Sequence, residues 1–394
     1  MNILIKNKDI TYFAETNFRN ERKTFGIYQA DRLLHTYIIG KTGVGKTTLL
    51  KTKLLQDIYY KRGCCLFDPH GDLVESVINE IPENRKQDIV YINIPDKSLK
   101  LGYNPIEKVP YHRRSLVASG LIEIFRKLWG DKAWGPKVEN ILRYILLTLL
   151  DQEHATLRDI IVIIHNEHYR EDCLRNIIDK DVKEFWRKEF KQYSKNDFVP
   201  VYNKIGAFLS HPALKQFTVE NENQINISDI MNQEKILLIN CSKGRLGIDG
   251  SNVIGSMLLN AITSAAFSRI TIKETNRIPF FVYLDEFQNY TTETVCSMLS
   301  ELRKFRIGLI MAHQYIAQLN QPIRDAVLGN VGTIICMRIS LDDSKYMERQ
   351  FHPVFQTTDF INLGNYEMYL KLCIYGKLSK AFSAKSIQWK IPER

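Results

Sequence analysis

The run Gly40-Lys-Thr-Gly-Val-Gly-Lys46-Thr47 constrains this chain more than any other feature. It matches the pattern GxxxxGK[ST], in which glycines let the backbone curl until successive N–H groups point inward and cradle phosphate. The flanks have the form such a loop requires. His35-Thr-Tyr-Ile-Ile39 is a short apolar run that enters the loop as a buried strand. A helix pattern follows from Lys46 to about Tyr60, with Leu49, Leu50, Leu54 and Leu55 at helical spacing and a stop before Gly63. In this frame Lys46 holds the β and γ phosphates of a nucleotide and Thr47 ligates magnesium, while Gly40, Lys41, Thr42, Gly43, Val44, Gly45 and Thr48 complete the lining. The expected ligands are ATP and Mg2+.

Strand and helix signals alternate around this loop. Cys64 to Phe67 reads as a second short strand, ended by Asp68-Pro-His-Gly-Asp72, whose residue types stop a strand and open a helix. Asp88 to Ile94 repeats the strand pattern. Between about Pro110 and Phe217 the period turns helical, with runs at Leu116 to Trp129, Val138 to Leu150, Thr156 to Asn166 and Asp181 to Tyr193. Strands resume at Lys235 to Asn240, Phe280 to Leu284, Ile307 to Ala312, Thr333 to Ile339 and Tyr369 to Ile374. The expected fold is α/β, with a mainly parallel central sheet and an inserted all-α domain. Residues 1–109 hold the N-terminal segment and the first part of the nucleotide-binding domain, 110–217 the helical insertion, and 218–394 the second part with the C-terminal tail.

Hydrolysis needs a carboxylate for the metal shell and another to activate water, both at the end of a buried strand. Pro279-Phe-Phe-Val-Tyr-Leu-Asp285-Glu286 supplies that pair: Asp285 for the metal, Glu286 as general base. The strand ending in His313-Gln314 offers an amide to sense the γ phosphate or orient water, so Gln314 is the sensor candidate and His313 a packed neighbour. Asp68 and Asp72 either bear on the nucleotide or a neighbouring subunit, or form a turn and cap. Lys243 and Arg245 contact phosphate or DNA, or lie in a solvated basic loop. Arg303 and Arg306 are alternative candidates for an arginine finger reaching a neighbour's site, against ordinary surface charge. In Phe185-Trp-Arg-Lys-Glu-Phe-Lys-Gln-Tyr193 aromatic and basic residues interleave as in a base-stacking surface. However, Val182, Phe185, Trp186, Glu189 and Tyr193 share one helical face, which favours core packing. Trp129 to Pro136 reads as a packed corner.

The formal charge of +10 favours polyanionic partners, DNA above all. Seven cysteines without CxxC or Cys/His spacing point to neither zinc nor a disulfide framework, and a cytoplasmic location is the simpler reading. The most hydrophobic stretch, around Ile141 to Leu150, falls short of the roughly 20 apolar residues that span a bilayer. No membrane anchor or signal peptide is expected.

Together, His35 to Thr48, Phe67-Asp-Pro-His-Gly-Asp-Leu73, Leu284-Asp-Glu-Phe-Gln-Asn-Tyr290 and Ala312-His-Gln-Tyr-Ile-Ala-Gln-Leu319 resemble the HerA/FtsK superfamily, and within it the conjugative DNA-transfer ATPases, the type IV coupling proteins. The resemblance runs from about residue 30 to 385. It implies a RecA-like hexameric ring that hydrolyses ATP to pass DNA through its pore, with nucleotide sites between subunits and an all-helical domain at the entrance. By position it gives Lys46 and Thr47 the phosphate-loop roles, Asp285 and Glu286 the acidic pair, and Gln314 the sensor. With 39 residues before Gly40, neither the coupling proteins' membrane helices nor the barrel domain of HerA proteins is expected, which makes a reduced motor. The alternatives are an ATPase powering protein secretion or pilus assembly, and a nucleotide-gated ring that recruits a partner. Expected partners are a nuclease, a relaxase or a membrane secretion complex.

Overall fold

The computed structural model describes residues 7–18, 21–130, 134–293, 296 and 299–392. They form two compact units. The first comprises the chain up to Ile92, Ile227–Cys241 and the chain from Ala265 onward; the second comprises Asn93–Asn226 and Ser242–Ser264.

Fifteen strands are present among the described residues. In chain order they are β1 Ile10–Thr16, β2 Thr24–Tyr28, β3 Thr36–Ile39, β4 Gly63–Asp68, β5 Ile89–Asn93, β6 Leu101–Gly102, β7 Asn223–Gln224 and β8 Ile236–Asn240. Then come β9 Phe280–Leu284, β10 Ile307–His313, β11 Thr333–Cys336, β12 Glu367–Lys371, β13 Cys373–Ile374, β14 Lys377–Leu378 and β15 Phe382–Ser386. Eleven of them make one sheet in the order β2-β1-β15-β12-β11-β3-β10-β9-β4-β8-β5. From β11 to β8 the pairings are parallel. These strands are continuous apolar runs buried along their length, as expected where both faces of a sheet are covered. The other flank is antiparallel, with β12 on β11, β15 on β12, β1 on β15 and β2 on β1.

The helix Lys46–Tyr59 packs its leucines, Leu49, Leu50, Leu54 and Leu55, into the core of this unit. Its far end is fastened by charge. Asp57 receives both terminal nitrogens of Arg32 at 2.6 Å and the hydroxyl of Tyr283, also at 2.6 Å. Arg32 also lies 3.6 Å above the Phe281 ring. The cluster is fully buried and joins the segment before β3, the helix after the loop and the strand β9.

The second unit is mainly helical, with helices Tyr111–Trp129, Pro136–Leu149, Asp159–His165, Glu167–Asn176 and Lys195–Leu209. Trp129 stacks on Phe125 and meets Trp134, each at 5.2 Å, so the tryptophans do form a packed corner. Asp131, Lys132 and Ala133 of that corner lie outside the described residues. Phe185 stacks on Tyr144 at 4.2 Å, and Trp186 Nε1 donates to Thr148 at 2.7 Å, which fixes both rings inside the unit. Glu189 departs from the expected face and is exposed, because Phe185–Glu189 winds as a π-helical turn whose extra residue rotates the later positions outward.

One helix among the described residues, Lys243–Thr271, is long and apolar enough to cross a membrane by length and composition, and 72% of its apolar window is buried within the protein. It is longer than the Ile141 to Leu150 stretch singled out in the sequence. Its apolar residues are broken up by Ser, Asn and Thr, so no single run stands out. All seven cysteines are free and buried.

Candidate nucleotide-binding site

β3 lies between β10 and β11, and at its carboxyl end the chain enters Gly40 to Thr47. Gly43 and Gly45 take φ of 78° and 114°, conformations open to glycine, and the helix begins at Lys46 directly after them. A Cβ on Gly45 would stand 2.7 Å from the ring of Tyr366. The loop is thus shaped by its glycines and walled by a residue far along the chain. Thr42 and Thr47 are exposed, Thr48 is half-buried, and Val44 is fixed in the core beneath.

Lys46 is 6% exposed and donates to the carbonyls of Gly40 at 2.7 Å and Lys41 at 3.0 Å. Burial lowers its pKa, while Glu286 and Asp285 pull it the other way. Those carboxylates stand at the carboxyl end of β9, two strands from β3. Asp285 is held up at about 7 by burial first, then by the charges of Glu286 and Asp68, with Lys46 opposing. Glu286 sits at a left-handed φ of 50°, which sets it off the strand axis, and its backbone N–H donates to Asp285 at 3.1 Å. Its two carboxylate oxygens accept from Gln314 at 2.7 Å and Gln288 at 2.8 Å.

Gln314 follows β10, the strand between β3 and β9, and its Oε1 accepts from the Thr42 hydroxyl at 3.0 Å. One amide therefore spans the acidic pair and the phosphate loop. His313 is fully buried, with Nε2 2.6 Å from the Tyr37 hydroxyl and its ring against Phe287. Burial holds it neutral, with a pKa of about 3, so it is a packing residue.

Asp68 accepts backbone N–H groups from His70 at 2.9 Å and Val74 at 3.0 Å, which makes it the turn and cap between β4 and the helix Asp72–Ile78. Asp72 is exposed in the first turn of that helix. Arg303 and Arg306 are not brought to the loop. They precede β10, at the amino edge of the parallel strands, and line a cleft of about 660 Å³ with Tyr28, Asp31 and Tyr375. Lys243 and Arg245 belong to the second unit, Lys243 half-buried and Arg245 exposed.

The sequence reading passes over three contributors. Gln288 braces Glu286; its place in Glu286-Phe-Gln288 is the one local signal that pointed to it. The carbonyl of Arg338 accepts from Lys41 N–H at 2.8 Å, and Tyr366 N–H donates to the carbonyl of Val44 at 2.8 Å. Neither Arg338 nor Tyr366 carries a motif.

A family described as the type IV secretion-system coupling protein DNA-binding domain matches residues 27–349. Among solved structures, the unbound bacterial conjugative coupling protein TrwBdeltaN70 is similar at 12% identity and a TM-score of 0.67, over 97% of this chain and 90% of that one. Plasmid coupling protein TrwB in complex with ADP and Mg2+ is similar at 13% identity and a TM-score of 0.63, over 98% and 97%. VirB4 of Thermoanaerobacter pseudethanolicus is similar at 11% identity and a TM-score of 0.63, over 98% of each chain. At such identities the likeness is one of fold: a RecA-like P-loop architecture with an all-α part. No curated protein matches the chain.

Proposed function

Because the chain belongs to the type IV secretion-system coupling protein DNA-binding domain family, we propose that it is an ATP-hydrolysing DNA translocase, working as a hexameric ring with nucleotide sites between subunits. The observation that carries hydrolysis is the convergence of Lys46, Asp285, Glu286 and Gln314 at the carboxyl ends of β3, β9 and β10, where open α/β sheets place their ligands.

The residues present suit a magnesium ion. Asp285 is a hard oxygen donor whose charge is crowded by Glu286 and Asp68, and the Thr47 hydroxyl is exposed at the helix start. Asp285 and Thr47 are the residues that would hold Mg2+, which would supply charge neutralisation on the phosphate oxygens. Lys46 exchanges its bonds to the Gly40 and Lys41 carbonyls for β and γ phosphate oxygens. Glu286 takes the proton of the attacking water, and Gln314 orients that water while sensing the loop through Thr42. Arg303 or Arg306, at the opposite edge of the strands from its own loop, serves a neighbouring subunit's site.

The charge of +10 supports DNA as the translocated polymer, with Lys243 and Arg245 assigned to its phosphates. A nuclease, relaxase or membrane secretion complex is the partner class for such a ring. The test is ATP hydrolysis with and without single- and double-stranded DNA, together with particle size in ATP. DNA-stimulated turnover that is lost in Lys46→Ala, in a ring-sized particle, is expected. Turnover indifferent to DNA and no ring would overturn the translocase. It would leave the secretion ATPase.

A further inference from the structure

Tyr366 carries an unusual combination of strain, support and exposure. Its φ is 67°, a left-handed conformation that a bulky side chain adopts only when its surroundings impose it. Three contacts impose it here. Its N–H donates to the Val44 carbonyl at 2.8 Å, its own carbonyl accepts from Ser386 N–H at 2.8 Å, and its ring fills the space beside Gly45. The preceding turn is clamped by Arg338, whose guanidinium donates to the Leu363 carbonyl at 3.2 Å and the Asn365 side chain at 2.9 Å. Arg338 also accepts from Lys41 through its carbonyl, so the turn and the phosphate loop share one support. Despite this fastening the tyrosine is 38% exposed. Packing alone does not call for a part-exposed aromatic ring fixed against a phosphate-binding loop.

The sheet order says which end of a nucleotide would meet it. Asp285, Glu286 and Gln314 follow β9 and β10, on one side of β3. The γ phosphate must point to that side, since the water is activated there. Arg338 follows β11 and Tyr366 precedes the antiparallel β12, which puts both at the same sheet edge but on the other side of β3. A nucleotide whose γ phosphate faces Glu286 therefore extends its ribose and base toward Tyr366.

We infer that Tyr366 is the platform on which the nucleobase stacks, and that the turn Leu363 to Tyr366 is the base subsite of the phosphate loop. This rests on the nucleotide reading proposed above. A two-ring purine covers the phenol face more fully than a pyrimidine, so purine triphosphates are the ligand class. Stacking needs only a π face and gains from a tyrosine held still in advance.

The test is calorimetric binding of ATP and of inorganic tripolyphosphate, both with Mg2+, to the full chain, to Tyr366→Ala and to Tyr366→Phe. Tripolyphosphate has the phosphates and lacks the base. The expected result for Tyr366→Ala is ATP affinity weakened on the order of 10-fold, unchanged tripolyphosphate affinity, and a raised KM with kcat preserved. Tyr366→Phe should bind ATP as the parent does. Equal weakening of both ligands would reduce Tyr366 to a brace for the loop and overturn the inference, as would unchanged ATP binding in Tyr366→Ala. If the parent chain binds neither ligand, the nucleotide reading itself fails, which is a distinguishable outcome.

Discussion

Gln314 and Glu286 are bonded at 2.7 Å, and the other end of the same amide is bonded to Thr42 of the phosphate loop at 3.0 Å. The general-base candidate is therefore held by the group best placed to detect what occupies the loop. A phosphate oxygen arriving at Thr42 would compete with Gln314 Oε1 for the Thr42 hydroxyl and so loosen one end of the amide that holds Glu286.

From this, Glu286→Gln should lower kcat for ATP by roughly 10²–10⁴-fold, the usual contribution of a positioned base, while leaving ATP affinity within a few-fold. Gln314→Ala should lower kcat by about 10²-fold, since it removes orientation and leaves the base. Steady-state hydrolysis alongside equilibrium binding checks both. A Glu286→Gln protein with near-normal turnover would remove Glu286 from the role.

Gly45→Ala should lower ATP affinity by about 10-fold or more, because alanine at φ 114° is strained by about 1–3 kcal/mol and its Cβ would meet the Tyr366 ring at 2.7 Å. Removing the ring in a Gly45→Ala/Tyr366→Ala double variant should not restore binding, since the backbone conformation still opposes alanine. Full rescue would show that the clash alone matters.

The buried pair of Arg32 and Asp57 makes a prediction about stability. Asp57→Asn should cost about 3–5 kcal/mol, because it leaves the guanidinium buried without its charge partner. The joint Arg32→Met/Asp57→Leu change should cost less than the two single changes added together. Urea unfolding measures all three variants. A near-zero cost for Asp57→Asn would mean the cluster is hydrated.

Acid should unfold the protein through two buried histidines. His35 Nδ1 accepts from Leu309 N–H at 3.1 Å and its Nε2 contacts the Leu299 carbonyl at 2.8 Å, so the ring is neutral and in a fixed tautomer. Burial lowers the pKa of His35 to about 4 and that of His313 to about 3. A folded-state pKa below the unfolded value means that the unfolded chain binds the proton first. Their contribution is complete above about pH 6.5 and is lost as pH falls through 4 and 3, at roughly 3 kcal/mol or more for each ring. Melting temperature against pH should be flat near these groups' neutral limit and fall steeply below 6. His35→Asn, which tolerates the left-handed φ of 64° at that position, should make the fall shallower. An unchanged slope would remove His35 from the account.

The legible parts of this molecule are those whose function is written in adjacent residues. The phosphate loop, the apolar run into Asp285-Glu286 and the strand before Gln314 are each specified within a dozen positions. The structure reproduces those strands with ends shifted by a few residues. Asp68 supports two readings in sequence, and the structure holds features of each: it bonds His70 and Val74 as a turn residue, and its charge acts on Asp285. Of the antiparallel flank, the run Tyr369 to Ile374 marks β12, whereas β15, Phe-Ser-Ala-Lys-Ser, has no apolar run and becomes a strand through its neighbours on either side. Tyr366 and Arg338 escape for the same reason: their importance comes from an approach to residues 40–45 that no local pattern encodes. Glu189 was misplaced by a single residue of extra winding.

β1 reaches the rest of the sheet through β15, with Ala14 opposite Ser386. At ~5–20 residues per second, a ribosome needs on the order of 20–75 s between making the first of these strands and making its partner. For that interval β1, paired with β2 on one side, has an open edge on the other. The sheet flank is then closed late, by β15, which emerges after the other ten strands of this sheet. β1 and β2 would accordingly be the strands left longest open to chaperone capture and proteolysis, although the loop that binds phosphate lies only a short way downstream.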